Sequence, residues 1–217
     1  MGTRDRRAIN GVRRTSAPSG ESPGWFVVLE GIDGAGTTTQ SARLAAALRE
    51  RGRDVVETRE PTSGLWGQRY RAWARGELPA TPGEVLGFFL EDRREHVEGI
   101  VEPSLARGAI VVCDRYVPST IAYQTAAGVP REVVMAALEA HSFPEPDLTL
   151  WLRVPVERAL ARKGSAAREK FEEVGFLQRV EAEYARLEMT EIDASQPLES
   201  VAGFVLGAVL ELVEYPD

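Results

Sequence analysis

The apolar run Trp25-Phe26-Val27-Val28-Leu29 leads into Gly31-Ile32-Asp33-Gly34-Ala35-Gly36-Thr37-Thr38-Thr39-Gln40, and a helix-like stretch follows at 41–51. A short, uninterrupted apolar run bounded by glycines reads as a strand buried on both faces. A strand followed at once by a helix commits the chain to β-α units, and so to a parallel sheet covered by helices. The glycine spacing fits the phosphate-binding loop G-x-x-x-x-G-K-[ST], whose backbone N–H groups cradle phosphates at a helix N-terminus. Gly31, Gly34 and Gly36 fit that frame, and Thr38 stands where a hydroxyl ligates Mg²⁺. Position 37, where the frame has lysine, holds threonine.

Beyond the loop the pattern keeps alternating. Strands are expected at 54–58, 109–113, 148–154 and 190–193. Helices are expected near 64–75, 82–107, 118–125, 130–140, 155–162, 171–188 and 197–214, with Gly99 and Pro103 bending the second. The fold class is α/β, a parallel sheet of the P-loop NTPase type with helices on both faces. Ligands of such sheets bind beyond the carboxyl ends of the strands. The glycine loop, Arg59-Glu60 and Asp114-Arg115 all fall there. Asp114 is placed to bind Mg²⁺ directly or through water, and Arg59 with Arg115 to grip a second phosphate group through bidentate hydrogen bonds.

The 217 residues suffice for one domain, expected over 24–217. The first 23 residues carry five arginines but only Asp5 and Glu21 as acids, with no helical or strand period. They read as a disordered arm, a transit-like peptide being the weaker alternative, and no function is assigned to them. The single cysteine, Cys113, sits in an apolar run and reads as a buried strand residue. That usage suits a reducing cytoplasm. No apolar run is long enough for a membrane span. A net charge of −7 argues against general nucleic-acid binding.

The segments FVVLEGIDGAGTTTQ, TREPT, FFLEDRREHV, CDRYVPSTIAYQ, PEPDLTLWLRV and IDASQPLESV, in that order, make the chain resemble the thymidylate kinases. The resemblance implies transfer of the γ-phosphate of ATP to dTMP with Mg²⁺, ATP and dTMP as small-molecule partners, and a homodimer. It implies that 31–39 binds ATP and that Thr38 and Asp114 hold the metal. Phe89 would stack on thymine, and Arg93, one helical turn later, would reach a base carbonyl. Thr120 and Gln124 would contact the pyrimidine edge, and Tyr123 would crowd the sugar 2′ position. Asp33 would contact the sugar 3′-hydroxyl or the phosphate network, and Arg59 and Arg115 would hold the dTMP phosphate. His96 and His141 lie outside the matched phosphate motifs and read as structural.

The absent lysine has a cost. A charge contact at about 4 Å is worth on the order of 4 kcal/mol at an effective dielectric near 20, or roughly 10³-fold in rate if expressed in the transition state. A threonine hydroxyl returns about 1 kcal/mol. Another cation must substitute, or activity falls. The polar segment 162–170 matches the family's lid, and with alanine at position 35 the chain resembles the members whose catalytic arginine lies there. Arg162 and Arg168 are the expected catalytic cations, Arg158 and a lysine at 163 or 170 the supplementary ones. The alternative is a catalytically weakened, regulatory nucleotide-binding protein of the same fold.

Overall fold

A computed structural model describes residues 24–163 and 174–214. The N-terminal arm, the lid positions Arg168 and Lys170, and the Lys163 side chain lie outside the described residues. Five parallel strands, β1 (Trp25–Glu30), β2 (Val55–Arg59), β3 (Ile110–Asp114), β4 (Leu148–Arg153) and β5 (Thr190–Asp193), form one sheet in the order β2-β3-β1-β4-β5. Parallel strands require crossovers, and helices supply them: α1 (Thr37–Glu50), α2 (Leu65–Ala74), α3 (Pro82–His96), α4 (Glu102–Ala106), α5 (Val117–Ala126), α6 (Arg131–Glu139), α7 (Val156–Lys163), α8 (Val174–Tyr184) and α9 (Leu198–Glu214).

β1 lies between β3 and β4, so its apolar run is buried on both faces. Val27 and Leu29 join Leu44, Leu48, Leu150 and Leu152 on one side, while Phe26 and Val28 meet Val97, Val101 and Tyr116 on the other. The period of two survives inside a run that is apolar throughout. Cys113 is buried among the second set. The strand order changes direction at β1, which places the binding crevice beyond the ends of β1 and its neighbours.

Two expectations are corrected. The first helix starts at Thr37, inside the glycine motif, and not near Ser41. The stretch expected to bend at Gly99 and Pro103 continues from α3 through a π-helical turn, Val97–Val101, into α4. Pro103 has no N–H for the carbonyl four residues back, and the Glu102 N–H reaches five residues back to the Val97 carbonyl. α3 begins with a capping box in which Thr81 and Glu84 bond reciprocally, with Pro82 in the first turn.

Candidate active site

The glycine loop is shaped by two left-handed residues. Gly34 has φ +88°, and a Cβ there would lie 2.3 Å from the Ala159 carbonyl oxygen of α7. Gly36, with φ +99°, precedes α1. No side chain caps α1, and its first turn carries no acid. Its leading N–H groups and the positive end of its dipole are therefore left for an anion. They face a cavity of about 510 Å³ lined by the loop, Arg59, Arg115 and Arg162, with Leu198 and Val201 supplying apolar wall.

The Thr38 hydroxyl donates to Asp114 Oδ2 at 2.5 Å. Asp114 is buried, and its Oδ1 has no hydrogen-bond partner among the described residues. A hydroxyl and a carboxylate that converge, with a carboxylate oxygen left over, are hard oxygen donors suited to Mg²⁺. Thr37 is buried within the loop. Arg162 from α7 sits against the same loop, its Nη1 donating to the Ala35 carbonyl at 3.4 Å and Nη2 to the Ala194 carbonyl at 2.8 Å. Both partners are neutral, so its charge is not cancelled there. Arg158 is exposed, bonds the Ser195 carbonyl and does not line the cavity. Arg153, at the end of β4, pairs with Glu181 and Glu191 at the surface.

A second cavity of about 280 Å³ adjoins the first. Phe89, Arg93, Thr120, Tyr123 and Gln124 all line it, and it shares Asp33, Arg59 and Arg115 with the first. Phe89 is half-buried, its ring 4.7 Å from that of Tyr70. Gln124 is buried, its Oε1 without a partner among the described residues. Arg115 takes φ +74°, uncommon for a residue with a Cβ, and its Nη2 donates to Asp33 Oδ1 at 2.7 Å. The Tyr123 hydroxyl donates to the same oxygen at 3.0 Å and accepts from the Asp33 N–H. Burial pushes the Tyr123 hydroxyl well above the ordinary phenol range, so it keeps its proton as a donor. Arg59 is exposed and has no carboxylate partner among the described residues.

Four buried polar side chains near the cavities were given no site role in the sequence reading. Glu30 ends β1 fully buried, accepting from Tyr116 N (2.8 Å), Ser119 N (3.3 Å), Ser119 Oγ (2.6 Å) and Tyr184 Oη (2.9 Å). Burial raises its carboxyl to about 7 against these hydrogen bonds. Asp92 accepts from the N–H and hydroxyl of Thr62 at 2.7 and 2.6 Å, fixing the turn after Arg59. Glu60 bonds the buried Arg93, and His96 bonds Glu60. His96, read from the sequence as structural, is buried with both ring nitrogens hydrogen-bonded, in the network beneath the second cavity. His141 is an exposed residue bonded to the Ala137 carbonyl. The available signals were a carboxylate closing an apolar strand, which needs partners if buried, and Arg93 with His96 on one helix face.

A sequence profile described as thymidylate kinase matches residues 29–205. The thymidylate kinase of Xanthomonas campestris pv. campestris (strain B100) is 44% identical over 185 residues, covering 82% of this chain and 79% of the relative. That of Akkermansia muciniphila is 41% identical over 204 residues, 92% of this chain and 97% of the relative. The Desulfotalea psychrophila thymidylate kinase is 38% identical over 200 residues, 89% and 98% of the two chains. The chain belongs to the thymidylate kinase family. The thymidylate kinase match runs from the end of β1 into α9, so every strand end and both cavities lie within it. Among the described residues, no helix is long and apolar enough to cross a membrane.

Proposed function

We propose that this protein transfers the γ-phosphoryl group of ATP to dTMP, giving dTDP. The observation that carries the reading is the pair of cavities meeting at Asp33, Arg59 and Arg115, one against a helix N-terminus and one lined by Phe89 and Arg93. Donor and acceptor phosphates would face each other across those three residues.

ATP's phosphates would rest on the N–H groups of 31–39 and the start of α1, its base against Leu198 and Val201. Arg59 and Arg115 would hold the dTMP phosphate, with Asp33 and Tyr123 fixing Arg115. Phe89 would stack on thymine, and Arg93, Thr120 and Gln124 would read its polar edge. The acceptor is already an ionised phosphate oxygen, so no general base is required. Catalysis reduces to alignment and charge neutralisation. Thr38 and Asp114 would hold Mg²⁺, which when bound neutralises charge between the phosphates. Arg162, which lines the same cavity, would supply the cation that Thr37 lacks by exchanging its carbonyl partners for the phosphates. Arg168 joins it in this proposal. A homodimer is proposed on the family resemblance.

Thr37 itself favours a second reading, a protein that binds both nucleotides and transfers nothing. ADP release measured with ATP and Mg²⁺, and with dTMP, thymidine or no acceptor, separates the cases. The kinase reading expects stimulation by dTMP alone. Binding of ATP and dTMP without stimulated turnover would support the second reading.

A further inference from the structure

Arg93 is almost entirely buried beneath the acceptor cavity, and the bonds it makes use three of its five N–H donors. Nε and Nη2 both donate to Glu60 Oε2, at 2.9 and 2.7 Å, and Nη2 also donates to Thr120 Oγ1 at 2.8 Å. The guanidinium packs over the Tyr116 ring at 4.7 Å and the Phe143 ring at 5.4 Å. Among the described residues, Nη1 has no partner for its two N–H groups. A buried, unpaired donor of a charged group is costly, and a site lined by it calls for an acceptor from the ligand.

What fixes that donor lies one layer further in. The other oxygen of Glu60, Oε1, accepts from His96 Nδ1 at 2.9 Å, and His96 Nε2 meets the Thr58 hydroxyl at 2.7 Å. A carboxylate only accepts, so a ring proton is assigned to Nδ1, which donates to Glu60, while Nε2 shares a hydrogen bond with the Thr58 hydroxyl. Thr58 is in β2, Glu60 follows that strand, and Arg93 and His96 are a turn apart on α3. The chain Thr58–His96–Glu60–Arg93 therefore ties the guanidinium to the sheet.

Given the acceptor reading proposed above, we infer that Glu60 and His96 are positioning residues that set acceptor-base specificity. By occupying Nε and Nη2 they present Arg93 Nη1 as a fixed donor, which accepts a base bearing a carbonyl and rejects one bearing an amino group at that edge. Glu60 lines the cavity beside Arg93, and His96 lies behind it, outside the lining. A guanidinium released from Glu60 would swing and read the base less selectively.

The test is the ratio of kcat/KM for dTMP to that for dCMP, whose base has an amino group where thymine has its 4-carbonyl. A site built around such a donor discriminates by roughly 10⁴-fold in the wild type. His96→Leu is expected to lower the ratio about tenfold or more, mainly through a higher KM for dTMP, with KM for ATP within about twofold. His96→Asn, whose amide N–H can replace Nδ1–H toward Glu60, is expected to restore it. Glu60→Gln should show the larger loss, but it strands a buried guanidinium, so the milder His96 pair decides. An unchanged ratio in His96→Leu, or equal rises in KM for ATP and dTMP, would overturn the positioning role. A wild type that binds dTMP without phosphorylating it would overturn the kinase reading instead.

Discussion

Asp33, inside the glycine loop, and Arg115, beyond β3, form an ion pair 2.7 Å long at the boundary of the two cavities. The contact fixes an arginine whose backbone is already held at φ +74°, and Tyr123 bonds the same carboxylate oxygen. The donor loop thereby orients the residue proposed to hold the acceptor phosphate. Replacing Asp33 by Asn keeps an oxygen acceptor and removes the charge. A charge-assisted hydrogen bond exceeds a neutral one by about 1 kcal/mol, so kcat/KM for dTMP should fall on the order of tenfold. Steady-state kinetics with dTMP varied at saturating ATP checks this, and an unchanged value would remove Asp33 from the orienting role.

Glu30 makes stability depend on pH. Its carboxyl is raised to about 7 in the folded protein from an ordinary value of 4.5, mainly by burial. The folded state thus holds this proton more tightly than the unfolded state, and the group's contribution is fully present below about pH 4.5 and lost as pH rises through about 7. The difference amounts to about 3 kcal/mol. Urea unfolding of wild type and Glu30→Gln at pH 5 and pH 8 should show the wild type losing about that much more stability at the higher pH. Parallel pH dependences would contradict the assignment.

Gly34 joins the glycine loop to α7, where Arg162 resides. Gly34→Ala places a Cβ 2.3 Å from the Ala159 carbonyl oxygen at φ +88°. The left-handed conformation costs about 1 kcal/mol, and backbone overlap of this kind adds about 1–3 kcal/mol. Thermal unfolding should reveal a loss of about 2–4 kcal/mol. Gly36→Ala meets no atom within 4 Å and should lose only the conformational part.

The sheet and its binding edge were legible because β1, the glycine loop and α1 follow one another with no residues to spare. Asp114, Arg115 and Arg59 were legible as strand-end residues. The helix start at Thr37 was not, because Gly36 replaces the usual polar cap and the loop's own geometry begins the helix. The π-helical turn was missed because Pro103 suggested a bend, whereas the ladder closes over it by shifting one residue. The contacts of Glu30, Glu60 and His96 were missed for a common reason. Their partners Ser119, Tyr184, Arg93 and Thr58 come from distant segments, and only the fold brings them together. Phe89 and Arg93 entered through family resemblance, and their spacing alone would equally have suited core and surface.

Phosphoryl transfer is proposed to proceed with Thr37 in the lysine's place because Arg162 supplies the charge. The most direct measurement is the single-turnover rate of dTDP formation in wild type, Arg162→Ala, and Arg162→Ala combined with Thr37→Lys. A lost phosphate contact worth on the order of 4 kcal/mol predicts a rate about 10²–10³-fold lower in Arg162→Ala, recovered in large part by the lysine. An Arg162→Ala rate equal to that of the wild type would contradict the claim.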